Sequence, residues 1–160
     1  MCRSDVEKEQ FGLEPIVFDN SEILILGSLP GKKSFDEGMY FANRGNRFWK
    51  MIAGFYGEEL PKDKCQMVSF LERHHIALWD VYESAVRRLS SDESMKKYKL
   101  NDILGFISDH PSITKVLVAG KKAQAGLKEH NENIAFIPVP STSGANAHFD
   151  ENEWYRAIFE

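Results

Sequence analysis

The chain has 160 residues, 42% apolar and 28% charged; that length predicts a single domain over residues 1–160, with a core needing neither disulfide nor metal. Its formal net charge of −4 excludes a protein that coats DNA through bulk positive potential, so any basic surface must be local. Two cysteines, Cys2 and Cys65, are too few for a disulfide framework or a four-cysteine cluster. With no apolar secretory core and no run approaching the roughly 18 residues of a membrane span, they predict a cytoplasmic protein.

Residues 1–12 are polar and carry Asp5, Glu7, Lys8 and Glu9, which predicts a loose arm settling near Phe11 or Leu13. After Pro15, Ile16-Val17-Phe18 reads as an edge strand or a pocket wall. Glu22 to Leu26 is the first clear strand, a short apolar run rich in strand formers. Gly27-Ser28-Leu29-Pro30-Gly31 follows it directly, so this glycine turn sits where a buried parallel strand releases its carboxyl end. Open α/β sheets keep their ligands there.

Asn46 to Ala53 has helical spacing through Phe48, Trp49 and Ile52, with Asn46 suited to cap it. Between Ser28 and Lys50 the charges are five cations (Lys32, Lys33, Arg44, Arg47, Lys50) against two anions (Asp36, Glu37), a local positive surplus inside an acidic protein. Small residues for close approach, amide and hydroxyl groups, aromatics and cations together describe a pocket for a nucleic-acid base.

Lys62 to Arg73 is predicted helical and leads to a second strand, Ile76-Ala77-Leu78-Trp79, closed by Asp80; His74-His75 reads as a surface pair. Ser84 to Leu89 reads as a helix start, and Ser90 to Lys99 as an exposed loop. Asn101-Asp102 caps a helix through Ile103, Leu104, Phe106 and Ile107, stopped by Pro111. Val116 to Ala119 is the third strand, Lys121 to His130 a helix, and Ala135 to Val139 the fourth strand. The loop Pro140-Ser141-Thr142-Ser143-Gly144-Ala145-Asn146 is small and rich in hydroxyls, and Asp150-x-x-Glu153 resembles a capping box for a last helix carrying Trp154, Tyr155, Ile158 and Phe159. This order predicts an α/β fold: a three-layer α/β/α sandwich with a four-stranded, mainly parallel sheet.

The glycine turn is not a phosphate-binding P-loop, because three residues rather than four separate Gly27 from Gly31 and Lys33 stands where a hydroxyl is needed. It resembles instead the first motif of the uracil-DNA glycosylase superfamily. Tyr40-Phe41-Ala42-Asn43-Arg44-Gly45-Asn46-Arg47-Phe48-Trp49-Lys50 is similar to the segment following that motif in the mismatch-specific members, and residues 140–146 resemble the second motif. The similarity spans roughly residues 22–150. Leu29 stands where the mismatch-specific enzymes carry a water-positioning asparagine, so the pattern is most similar to the hypoxanthine-DNA glycosylase branch, in which the asparagine before Arg-Phe-Trp is the important polar group. Asn43-Arg44-Gly45 replaces the His-Pro common in that branch.

The resemblance implies Asn46 as the catalytic residue. It implies a base pocket of Gly27, Ser28, Leu29, Pro30, Gly31 and Asp80, with Tyr40 or Phe41 stacking on the base, and DNA contacts from Ser141, Thr142, Ser143, Gly144, Ala145, Asn146 and Arg47. Ser28 would contribute a small hydroxyl that both donates and accepts, and His148 is a candidate donor to the leaving base. The implied partner is DNA containing a deaminated base, handled by a monomer without metal or cofactor. Two other classes fit parts of the pattern: a silent nucleic-acid-binding module, on the strength of Leu29, and a nucleotide hydrolase.

Overall fold

The computed structural model describes residues 7–88 and 91–160. Its first element differs from the expected arm: β1 (Glu7–Phe11) is a strand, while residues 1–6 of that arm lie outside the described residues. β2 (Ile23–Gly27) buries Leu24, Ile25 and Leu26 completely. The glycine turn then enters a short helix, α1 (Lys32–Glu37), closed by Gly38 at φ 67°, a left-handed conformation that glycine adopts without strain. α2 (Phe48–Phe55) and α3 (Lys64–Arg73) follow, the latter capped by the Asp63 side chain, and β3 (Ile76–Asp80) returns to the sheet. His74 and His75 are half-buried rather than a surface pair. His74 stacks on Tyr56 at 3.9 Å and pairs with Glu58, and the His75 carbonyl accepts the amides of Glu22 and Ile23.

The next stretch departs furthest from expectation. In place of a helix start and a loop come two strands, β4 (Tyr82–Arg88) and β5 (Lys96–Leu100), separated by a 3-10 turn at Asp92–Ser94; Leu89 and Ser90 lie outside the described residues. β1 pairs antiparallel with β4 from Glu7↔Arg88 to Phe11↔Ser84, and β5 pairs with its other edge, so backbone partners on both sides override a weak local preference.

α4 (Ile103–Asp109) is capped by Asp102 as expected, β6 (Lys115–Ala119) begins one residue early, and α5 (Lys121–His130) matches its predicted bounds. β7 (Ile137–Val139) is shorter than predicted, and α6 (Glu151–Phe159) starts at Asp150, whose side chain accepts the Asn152 amide. The main sheet has the order β3-β2-β6-β7 with every neighbour parallel.

Alternation along β2 divides the interior. Ile25 faces a core built with Phe48 and Ile52 of α2, Leu71 of α3 and Trp154 of α6, whereas Leu24 and Leu26 face Ile103 of α4 and Leu127 of α5. Helices therefore cover both faces of a four-stranded parallel sheet, as the sequence predicts, and each such buried aliphatic chain contributes roughly 1.5–3 kcal/mol. The three-stranded sheet β1-β4-β5 is an addition to that plan. It packs against the second core through Tyr82 and Ala85, and α5 comes so close that a Cβ on Gly126 would lie 2.7 Å from the Tyr82 ring.

Candidate active site

The carboxyl ends of the parallel strands open into a cleft of about 1870 Å³. Residues 27–31, Tyr40, Phe41, Asn46, Asp80 and 141–146 all line it, so residues drawn from four separate stretches of sequence meet in one place. Arg47 is the expected contact residue that does not line it.

Sheet register fixes the floor. Gly27 lies opposite Asp80 on the last rung between β2 and β3, and a Cβ on Gly27 would stand 3.0 Å from Asp80 Oδ1. Any side chain at residue 27 would crowd this carboxyl. Asp80 is 4% exposed, and its Oδ2 has no hydrogen-bond partner among the described residues. Burial pushes its pKa up to about 7, the nearby Asp92 adds to that, and Arg87 opposes it.

The two aromatic candidates separate by environment. Tyr40 is 3% exposed and spends its hydroxyl on the Glu14 carbonyl at 2.7 Å, while its own carbonyl accepts from Trp49 Nε1 at 2.9 Å. Its phenol is held protonated, first by burial and then by the negative charge of Asp80. It is a wall. Phe41 is half-buried, lines the cleft, stacks on Phe48 at 4.2 Å and adopts φ 59°, a conformation uncommon outside glycine.

Asn46 serves as cap and cleft residue at once. Its Oδ1 accepts the Phe48 amide at 2.9 Å, which helps start α2, and Nδ2 has no hydrogen-bond partner among the described residues. Arg47 is bonded to the second loop: its amide donates to the Thr142 carbonyl at 3.0 Å and its guanidinium to Ser143 and Asn146 carbonyls at 2.8 and 3.2 Å. The same guanidinium lies 4.9 Å over the Phe149 ring. The expected cationic contact is therefore a clamp between α2 and the second loop.

That loop is tightly fitted. A Cβ on Gly144 would meet the Gly45 carbonyl oxygen at 2.7 Å, so the glycine permits the two loops to touch. Thr142 is 2% exposed and points inward. Ser141 Oγ accepts the Ser143 amide at 3.2 Å and Ser143 Oγ accepts the Ala145 amide at 3.2 Å, bonds that leave both hydroxyl protons unused. Asn146 spends its side chain within the loop, on the Ser141 carbonyl and the His148 amide. Local charge is also reduced: Lys32 pairs with Asp36 at 2.6 Å and Lys33 with Glu37 at 2.9 Å, while Arg44 and Lys50 are exposed.

Sequence reasoning missed Arg87 and Asp92. The Arg87 side chain is 1% exposed and reaches from β4 behind the glycine turn, donating to the carbonyls of Pro30 and Leu29, to Gln10 at 2.8 Å and to Asp92 Oδ1 at 2.8 Å. Asp92 Oδ2 in turn accepts the Ser28 hydroxyl at 2.6 Å. Ser28 was expected both to donate and to accept, but its proton is committed. An arginine inside a strand that is itself unexpected carries no local signal.

The model of the uracil DNA glycosylase superfamily matches residues 15–160. The chain belongs to that superfamily. Two similar proteins named hypoxanthine DNA glycosylase come from Methanosarcina species. That of Methanosarcina acetivorans is 33% identical over 155 residues, 92% of this chain and 96% of its own length. That of Methanosarcina barkeri is 35% identical over 113 residues, 70% and 72% of the two chains. The solution NMR structure of a candidate uracil DNA glycosylase from Methanosarcina acetivorans superposes with a TM-score of 0.79 at 30% identity, covering 94% of this chain and 95% of that one. The expected superfamily, α/β architecture and enzyme class, a hydrolase of N-glycosyl bonds in DNA, are thus borne out. Among the described residues no helix is long and apolar enough to cross a membrane.

Proposed function

We propose that this superfamily member is a monofunctional DNA glycosylase that releases hypoxanthine first and uracil second, acting as a cytoplasmic monomer. The observation that carries the reading is the meeting of Asn46, Asp80 and the glycine turn in one cleft at the sheet's carboxyl edge, closed on the far side by the serine loop. The names of the Methanosarcina relatives support hypoxanthine over the other deaminated bases.

A base inside a duplex is out of reach, so it must be flipped into the cleft at a cost of a few kcal/mol of stacking and pairing. Phe41 then stacks on it, with Tyr40 as the wall behind. Water attacks C1′ of the sugar as the bond to the base nitrogen breaks, the bonding electrons leaving with the base. Positive character on the sugar and negative charge on the base make aimed donors more useful than a strong base. The Gly31 N–H suits the departing ring, because Arg87 holds the Pro30 carbonyl of the same peptide unit, whose oxygen points the opposite way. Asn46 holds the water through Nδ2 and the remaining lone pair of Oδ1; being uncharged it keeps no proton, which passes to the departing base. Asp80, titrating near neutrality, faces the polar edge of the base.

Ser141 and Ser143 donate to phosphates flanking the flipped nucleotide, and Gly144 and Ala145 press on the vacated stack. The test uses otherwise identical oligonucleotides carrying hypoxanthine, uracil, xanthine or mismatched thymine. Release of hypoxanthine fastest, giving sites that break only under hot alkali and form no borohydride-trapped adduct, is the expected result. Retarded DNA without abasic sites would sink the assignment.

A further inference from the structure

We propose that the Arg87–Asp92 pair commits the hydrogen of the Ser28 hydroxyl to Asp92, so that Ser28 meets the flipped base as an acceptor only and selects bases with an imino N–H. The inference rests on the function proposed above and names the group that reads the base.

The geometry makes the assignment. Asp92 is a carboxylate held from one side by Arg87 Nη1 at 2.8 Å, and its other oxygen takes the Ser28 proton at 2.6 Å. A serine has one proton and two lone pairs. With that proton spent, the face of Ser28 that lines the cleft offers lone pairs alone. Arg87 cannot drift, because it is buried and also bound to Gln10 and to the Pro30 and Leu29 carbonyls. The turn and the hydroxyl are therefore set by one rigid support carried on the second sheet.

Deamination of adenine changes the ring nitrogen N1 from a lone-pair acceptor to an N–H donor. An acceptor facing N1 binds hypoxanthine and repels adenine, whereas a freely rotating hydroxyl would satisfy both. Ser28 is the specificity-determining residue of this scheme; Asp92 and Arg87 are positioning residues.

Asp92→Asn is the informative change. Arg87 draws the amide oxygen to itself, the amide NH2 turns to Ser28, and the serine must accept there, which frees its hydrogen for the cleft. Binding is measured to duplexes with a fluorine on the 2′ carbon of the target sugar, which blocks cleavage, and with hypoxanthine or adenine at that position. The flipping cost belongs to the DNA and cancels between variants. The hypoxanthine-to-adenine affinity ratio is expected to fall by about tenfold in Asp92→Asn. It should fall similarly in Ser28→Ala, and no further in the double variant. A ratio unchanged in folded Ser28→Ala overturns the inference even if deoxyinosine is cleaved normally. Should the wild type cleave uracil alone, the base assignment fails instead, and the same ratio is read with uracil against cytosine, whose N3 differs in the same way.

Discussion

The guanidinium of Arg47 donates to the main-chain oxygen of Ser143 at 2.8 Å, joining positions 96 residues apart in the chain. Through it the serine loop is tied to the residue next to Asn46, so the two groups proposed to hold a phosphate and the attacking water are spaced by the protein itself. Pre-set geometry of this kind is worth much of a hydrolytic rate.

Arg47→Ala is expected to destabilise the fold by about 1 kcal/mol, since half-exposed hydrogen bonds from a charged group are lost, and to slow base release by about tenfold or more. Because the guanidinium is spent on carbonyls, the slope of log affinity against log salt should not change. A slope reduced by about 0.9, the value for one lost phosphate contact, would return Arg47 to the DNA surface.

The capping bond of Asn46 and the water-holding role proposed for it are separable. Asn46→Asp keeps an oxygen for the Phe48 amide but removes the NH2 group, so thermal stability should hold while single-turnover release falls by one to several factors of ten. Asn46→Ala should lose the same rate and, in addition, about 1 kcal/mol of stability. Near wild-type turnover in either folded variant would leave Asn46 as a cap and nothing more.

The parallel sheet, its helices and the cleft at its carboxyl edge were legible because buried runs such as Ile23 to Leu26 and 116–119 announce strands, and glycine, asparagine and aspartate mark their ends. The second sheet was not. Strands β4 and β5 hold polar and basic residues that read as a solvated stretch, and β1, 77 positions from its partner through the Gln10–Arg87 contact, looks like a solvated tail. With that sheet hidden, Arg87 and Asp92 were hidden too. Arg47 misled for a related reason: a cation beside a polar loop reads as a phosphate contact unless the loop carbonyls that absorb it are seen.

Asp80 predicts a pH signature. Its ordinary value of 3.8 is raised to about 7 in the fold, chiefly by burial. Over that window the folded state holds the proton more tightly than the unfolded chain, so this group's stabilisation is full below about pH 4, declines as pH rises and is gone above about pH 7. Asp80→Asn, neutral throughout, should match wild type near pH 4 and exceed it above pH 7 on the order of a few kcal/mol. Denaturant midpoints of both proteins across that range check it; parallel curves would mean that Asp80 is ionised in the fold.

The serine loop offers the last test. Ser141 and Ser143 each accept a loop amide two residues onward, at 3.2 Å in both cases, which leaves their protons uncommitted among the described residues. Uncommitted donors on a small-residue loop suit phosphate oxygens, which fix position and carry no sequence information. Replacing both serines by alanine should therefore weaken binding to hypoxanthine, uracil and abasic DNA by the same factor, about tenfold for two hydrogen bonds to a charged group. Base preference and the rate at saturating enzyme should change little, since Arg47 still secures the loop through main-chain carbonyls that the substitutions leave in place. Affinities for the three DNAs, measured alongside single-turnover rates, separate the outcomes. A shift in base preference at constant affinity would put these hydroxyls around the base and displace the phosphate path to another part of the cleft rim.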